Sequence, residues 1–288
     1  MFRYKLEIEY LGDKYCGMQI QNDLDSIQSV VEESLSFFIK QVISIKFSGR
    51  TDAKVNAYNQ VCHFDTEVDL NKCKLIKSLN FFLREKNIVV VDLQLVDDKF
   101  HSRFSAKKRS YRYKIILRNS PTVIERNLLW HIYHKINLIE FIDNAKYFIG
   151  HHDFNAFRSI QCQAKNSHRT IDTIEVRIFH FITKEKIFDI KYVQNLLFHN
   201  FINYFKLKKL RKINDNLESY MIYGLQIEFK IVAKSFLHNM IRNIIGTLYD
   251  ISRLKVNKSI KQIIKSKDRR QAGQTAPACG LYFLKTEY

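Results

Sequence analysis

The chain has only two prolines among 288 residues, Pro121 and Pro277, and no stretch rich in Pro, Gly or Ser. No flexible linker is visible, so any domains are expected to pack closely. No run approaches the roughly 20 consecutive apolar residues that a membrane-spanning helix needs. The opening MFRYKLEIEYLG interrupts its apolar residues with charges and lacks the apolar core of a signal peptide. Both absences point to a cytoplasmic protein with no membrane partner. The five cysteines (Cys16, Cys62, Cys73, Cys162, Cys279) are scattered and odd in number. That argues against a disulfide framework and for free thiols in a reducing compartment. His151-His152-Asp153 invites a metal reading, but no second ligand group accompanies it, and no metal is expected.

Acidic residues are also scarce, 29 against 47 Lys and Arg, which leaves a formal net charge of +18. A field of that sign favours a polyanionic partner such as nucleic acid. The chain is also rich in Ile, Asn, Phe and Tyr, so residue drift could supply part of the lysine excess. With 46% hydrophobic and 13% aromatic residues it can bury a substantial core.

Periodicity organises the first hundred residues. Leu6, Ile8 and Tyr10 alternate with polar residues and predict a strand. From Asp25, helix spacing follows, with Ile27, Val30, Val31, Leu35 and Phe38 on one side and Asp25/Gln28 as the N-terminal cap. Ile43, Ile45 and Phe47 return to period two, with a break at Ser48-Gly49, and a strand is predicted at 60–65. A helix carrying Leu70, Cys73, Ile76, Leu79 and Leu83 leads into the apolar run Ile88–Val96. The order is βαββαβ, the split unit of ferredoxin-like folds.

The second half repeats these ingredients. Strands are predicted around Tyr111–Ile115, at 171–179 and at 221–232, with helices at 138–149 and at about 235–251. A boundary near residue 105 gives two α/β domains, 1–105 and 106–288. Within the second lies an insertion at about 180–220. There Val193, Leu197, Phe201 and Phe205 form an apolar stripe ahead of the basic KLKKLRK at 206–212.

The informative motif is Gly49-Arg50-Thr51-Asp52-Ala53, just after the second predicted strand. A carboxylate two residues from an arginine, on a turn at a strand end, can be held ionised and act as nucleophile or base. An Asp in a turn is more often a local hydrogen-bonding residue, so the motif alone decides little. The wider segment GRTDAKVNAYNQVCHFD resembles the active-site block of the TruA-type family of tRNA pseudouridine synthases, GRTDAGVHAxGQVxHFD. Four more blocks follow in that family's order: FHSRFSAKKRSYRYKI (100–115), GHHDFNAF (150–157) with HRTI (168–171), SFLHNMIRNIIGTL (235–248) and AGQTAPACGLYFLKTEY (272–288). Together they span nearly the whole chain apart from the insertion.

The resemblance implies two ferredoxin-like α/β (α+β) domains around an RNA-binding cleft, tRNA as partner, a homodimer and no cofactor. Uridine becomes pseudouridine by breaking the N1–C1′ bond, turning the base and joining C5 to C1′, so the atoms balance without a cofactor. The absence of a P-loop or dinucleotide fingerprint agrees with that. By resemblance Asp52 is the catalytic carboxylate, Arg50 holds the flipped nucleotide, and Tyr111 stacks on the uracil. Arg242 would pair with Asp52, Leu281 would wall the base, and Arg103, Arg109 and Arg169 would contact phosphates with Lys107, Lys108 and Arg158. The family acts on uridines 38, 39 and 40 of the tRNA anticodon stem-loop.

Departures cluster at the nucleophile loop: Lys54 stands where the family usually has Gly, Asn56 where it has His, and Asn59 where it has Gly. Ala233 replaces a frequent Gly ahead of the SFLHNM block. Lys at 54 is strained if the loop needs a positive φ there. The alternative reading is a catalytically impaired tRNA-binding chaperone of the same fold, and a third is an enzyme of that fold acting on another RNA.

Overall fold

The computed structural model describes residues 1–21, 24–187 and 224–288. The stripe Val193/Leu197/Phe201/Phe205 and the basic run 206–212 lie outside the described residues. The fold is mixed α/β, and the described chain divides into two compact units. Unit 1 is Met1–Arg112 with Val232–Ser235 and Leu281–Tyr288; unit 2 is Tyr113–Ile231 with Phe236–Gly280.

Unit 1 runs β1 (Phe2–Tyr10), α1 (Ile27–Ile39), β2 (Lys46–Phe47), β3 (Asn56–Thr66), α2 (Lys72–Leu83) and β4 (Ile88–Val96), the βαββαβ order of the sequence pattern. β1 lies antiparallel between β4 and β3. The other edge of β3 is shared. β2 pairs antiparallel with His63 and Cys62, and β11 (Leu281–Glu287) pairs parallel with Asn56 and Ala57. Alternation in β1 buries Tyr4, Leu6, Ile8 and Tyr10. Leu6 and Ile8 are fully buried, which is worth about 1.5–3 kcal/mol each. α1 lays Ile27, Val31, Leu35 and Ile39 against the sheet, and α2 adds Leu75, Leu79 and Leu83.

Several local expectations are corrected. The cap of α1 is Ser26 with Ser29, not Asp25 with Gln28: Ser26 Oγ accepts from Ser29 N, and Ser29 Oγ accepts from Ser26 N. Gln28 instead donates to Glu32 and accepts from Ile20 N. β2 is shorter than the Ile43–Phe47 alternation suggests, because Ile43 N and Ile45 N donate to Ser36 Oγ and Glu32 Oε1, not to a neighbouring strand. Leu70 precedes α2, whose cap is Asn71; Leu75 is buried, and Cys73 is exposed. The helix expected from Ser235 starts at Met240, after Asn239 takes a left-handed conformation at φ 60°.

Unit 2 holds the later part of β5 (Lys108–Leu117), with β6 (Trp130–Ile132), α3 (Leu138–Asp143), β7 (Gly150–Asp153), β8 (His168–His180) and β9 (Lys186–Ile187). It continues with most of β10 (Leu225–Ala233), then α4 (Met240–Ser252) and α5 (Ile260–Ser266). Its strand order is β5-β10-β8-β7, with β6 parallel to β5 and β9 antiparallel to β8. α4 is buried along nearly its whole length. A side chain at Gly246 would run into the carbonyl of Gln274, so glycine is required at that approach. The helix expected at 138–149 is split: α3 ends at Asp143, and Asn144–Phe148 tightens into a 3₁₀ turn.

Among the described residues no helix is long and apolar enough to cross a membrane. No group of His, Cys, Asp and Glu suited to a metal ion occurs among them either. The His151-His152-Asp153 side chains turn to separate partners: Thr170 Oγ1, Ile149 O and Ser167 Oγ.

Candidate active site

The loop bearing Asp52 leaves β2 at Ser48, and its entry is held from several directions. Ser48 N donates to Val61 O at 2.8 Å, continuing the β2–β3 ladder by one residue. Ser48 Oγ donates to Gln60 Oε1 (2.7 Å), whose amide nitrogen donates to Gly49 O (2.6 Å). Thr286 on β11 donates to Ser48 Oγ at 2.9 Å. Arg109, on the first part of β5, is buried and donates Nε to Ser48 O at 2.8 Å. Its other nitrogens reach Arg103 O (2.8 Å) and Lys234 O. One guanidinium thus ties three chain segments of unit 1, each bond to a charged donor being worth about 1.5–3 kcal/mol.

Beyond Gly49 the loop closes on itself. Thr51 is buried, its hydroxyl 2.7 Å from Tyr10 Oη, and its carbonyl accepts from Met18 N. Gly17, at φ 122°, passes so close that a Cβ there would stand 2.7 Å from Thr51 O and 3.2 Å from Ala53 N. Val55 N donates to Asp52 O at 3.2 Å, closing a four-residue turn over Ala53 and Lys54. Lys54 has φ 64°. A negative φ at Ala53 with a positive φ at Lys54 is the sign pattern of a type II turn, which favours Gly at its third position. The family's glycine is therefore physically motivated, and here a lysine takes the left-handed conformation.

Two other departures have structural roles. Asn56 is buried, and its Oδ1 accepts from Gly12 N at 2.8 Å. Asn59 Nδ2 donates to Glu7 Oε2 at 2.6 Å, and its Oδ1 is buried without a hydrogen bond.

Asp52 is partly exposed on this turn, and Arg50 is exposed. A Cβ built on Gly49 would lie 3.5 Å from Tyr111 Oη and 3.3 Å from the Phe283 ring, so these aromatics stand against the loop's backbone. Tyr111 is buried and packs edge-on to Phe283 at 5.0 Å. Burial first, and then the charge of Asp52, push its phenol far above the ordinary range, so it is a neutral donor across working pH. Leu281 is buried at the start of β11, beside the first residues of β3. Arg103 is exposed and lies over the Phe104 ring at 5.7 Å; Phe104 is itself 76% exposed.

Unit 1 therefore contains Arg50, Asp52, Tyr111, Leu281 and Arg103, with Tyr111 close enough to feel the Asp52 charge. It also places Arg109 there, but inside, on backbone carbonyls, not on the phosphate-facing surface expected of it. Arg242 and Arg169 belong to unit 2. Arg242 Nε donates to Ala276 O and Nη1 to Asn239 Oδ1, both at 2.8 Å. Arg169 Nη1 donates to Asn166 O and His168 O, and its Nε is buried without a partner. Three residues that shape the loop escaped the sequence reading: Tyr10, Gly17 and Gln60. Tyr10 reads as strand core and Gln60 as strand filler, and Gly17 had only its glycine identity to mark it.

A partly exposed carboxylate on a backbone-locked turn beside a neutral buried phenol is an arrangement suited to an enzyme acting on a large polar substrate at its surface. A family model described as tRNA pseudouridine synthase matches residues 144–288. The chain is 37% identical over 99% of its length to the whole of a protein named tRNA pseudouridine synthase A from Neorickettsia sennetsu. Proteins of the same name from Ehrlichia chaffeensis and Wolbachia pipientis are 36% and 34% identical, again over 99% of this chain and all of theirs. The chain belongs to the tRNA pseudouridine synthase family and is an isomerase.

Proposed function

We propose that this enzyme converts uridine to pseudouridine in the anticodon stem-loop of tRNA, at the positions implied by the resemblance, with Asp52 as the catalytic carboxylate. The observation that carries the reading is the fixed turn. Thr51, Gly17, Gln60 and Arg109 hold the backbone on both sides of Asp52, so its side chain is offered without a reorganisation cost at the moment of reaction.

The carboxylate attacks or deprotonates the ribose as the N1–C1′ bond breaks. The base turns, C5 bonds to C1′, and the proton on C5 is lost while N1 gains one. Tyr111 serves as a neutral aromatic surface for the flipped uracil, stacking being worth about 1–3 kcal/mol per base. Leu281 closes the apolar side. Arg50 and Arg103 offset the few kcal/mol that extruding a nucleotide costs. The resemblance also implies a homodimer, which light scattering on the purified protein tests.

Asp52→Asn is expected to leave no detectable pseudouridine on unmodified tRNA transcripts while tRNA affinity stays within a few fold. Turnover by the Asn variant refutes the assignment. Mapping the modified sites in the wild-type reaction tests the anticodon stem-loop, and product-free binding by the wild type would favour the chaperone reading.

A further inference from the structure

Unit 2 carries a hollow of about 250 Å³ that the reaction does not use. β6 pairs with β5 and delivers Trp130 to its wall, where the indole stands edge-on to Tyr249 of α4 at 4.7 Å. Past β6 the chain supplies Tyr133 and His134, both exposed, with ring centroids 4.1 Å apart. The end of α4 supplies Arg253, whose guanidinium lies 5.2 Å over the Tyr249 ring and donates to its hydroxyl at 2.8 Å. Lys255, exposed, follows on the same rim. Burial first, and then the charges of Arg253 and Lys255, lower the His134 pKa. No acidic residue lines the hollow among the described residues.

Aromatic walls with flanking cations and no acid suit a ligand that is planar at one end and anionic at the other. The volume falls below the roughly 300–1,000 Å³ of drug-sized sites and suits one unstacked base with its phosphate. Tyr133 is 59% exposed, which an aromatic serving only the core would not be. Lone exposed aromatics are ordinary surface features; here two aromatic walls and two cations converge on one concavity.

We propose that this hollow is a nucleotide-binding site, taking an unstacked nucleotide of the RNA other than the uridine being isomerised. The RNA source rests on the proposed function; the nucleotide chemistry does not. The base lies against Tyr133 and Trp130, and the phosphate pairs with Arg253 and Lys255. The site adds affinity for the substrate and leaves the chemical step alone.

The chain contains a single tryptophan, and it is Trp130. Its emission, excited where tyrosine does not absorb, therefore reports on the surroundings of Trp130, and the variants below tie any change to the hollow. We expect saturable quenching of Trp130 by unmodified tRNA and, at higher concentration, by adenosine 5′-monophosphate. Tyr133→Ala with Lys255→Ala, both at exposed positions, should raise both midpoints about tenfold. Pseudouridine formation by this variant should show a raised KM and an unchanged kcat. Lys255→Glu provides a second variant whose side chain stays in solvent. Quenching by the mononucleotide that tRNA neither reproduces nor competes away supports the nucleotide site and assigns it to a free nucleotide. Absence of quenching by either ligand, or midpoints that both variants leave unchanged, overturns the proposal. Repeating the titration with Asp52→Asn separates the two readings, because that variant reports the hollow whether or not pseudouridine is formed.

Discussion

Lys54 offers the most direct test of how the Asp52 loop is built. An L-residue in the left-handed region costs about 1–2 kcal/mol, because its Cβ crowds the following carbonyl. Lys54 sits at φ 64° in the turn next to Asp52, with its side chain exposed. Lys54→Gly removes that cost but enlarges the conformational freedom of the unfolded chain, which returns about 0.4–1 kcal/mol. The net gain is about 1 kcal/mol, or roughly 2–4 °C in Tm for a protein of this size. Lys54→Ala keeps the Cβ and should gain nothing, which makes it the control. Urea midpoints and thermal melts followed by circular dichroism measure both variants. If Gly is no more stable than Lys, or Ala gains as much as Gly, the strain is not in this dihedral and the reasoning fails.

Arg109→Lys should destabilise the enzyme by about 3 kcal/mol, since an ammonium cannot span Ser48 O, Arg103 O and Lys234 O. A urea midpoint close to wild type would remove the tie from the account. His63 Nδ1 accepts from Ser102 N, and burial, then the charges of His101 and Arg3, hold its pKa down to about 4. The unfolded chain then takes up the proton first. Stability from this group is full above about pH 6.5 and falls toward pH 4 by up to about 3 kcal/mol, a loss that His63→Gln should flatten in acid urea titrations. If the +18 charge serves phosphate binding, log K for tRNA should fall with log salt by roughly 0.7–0.9 per contact; a flat response contradicts it.

Long periodic segments were legible in the sequence. The apolar run Ile88–Val96 is β4 to the residue, and the order βαββαβ is the order of unit 1. Boundaries were not, because neighbouring residues offered equivalent local chemistry. Asp25/Gln28 and Ser26/Ser29 share the capping spacing; in the fold Gln28 bonds Glu32 and Ile20 N, and the serines form the cap. Ile43–Phe47 has strand periodicity, but Glu32 and Ser36 on α1 take the amides that a strand would use. Arg109 shows the same limit within the candidate site. A basic residue in a basic stretch reads as a phosphate contact until the structure shows three carbonyls converging on it. The αL turn at Lys54 was marked by a departure from a motif, and neither propensity nor periodicity could have located it.

The parallel pairing of β11 with β3 gives unit 1 an order of assembly. The first edge of β3 is satisfied as soon as β1 and β3 have both been synthesised. At Asn56 and Ala57 the second edge waits for Tyr282 and Phe283. Those arrive roughly 170 residues after Arg112, a delay of roughly 10–35 s at ribosomal rates of about 5–20 residues per second. Through that interval the nascent chain carries the Asp52 loop without Thr286 on Ser48 and without Phe283 against Tyr111. Asp52 is thus among the early residues made, yet its surroundings are completed last. A chain truncated before Leu281 would leave an unpaired strand edge, and with it a template for aggregation.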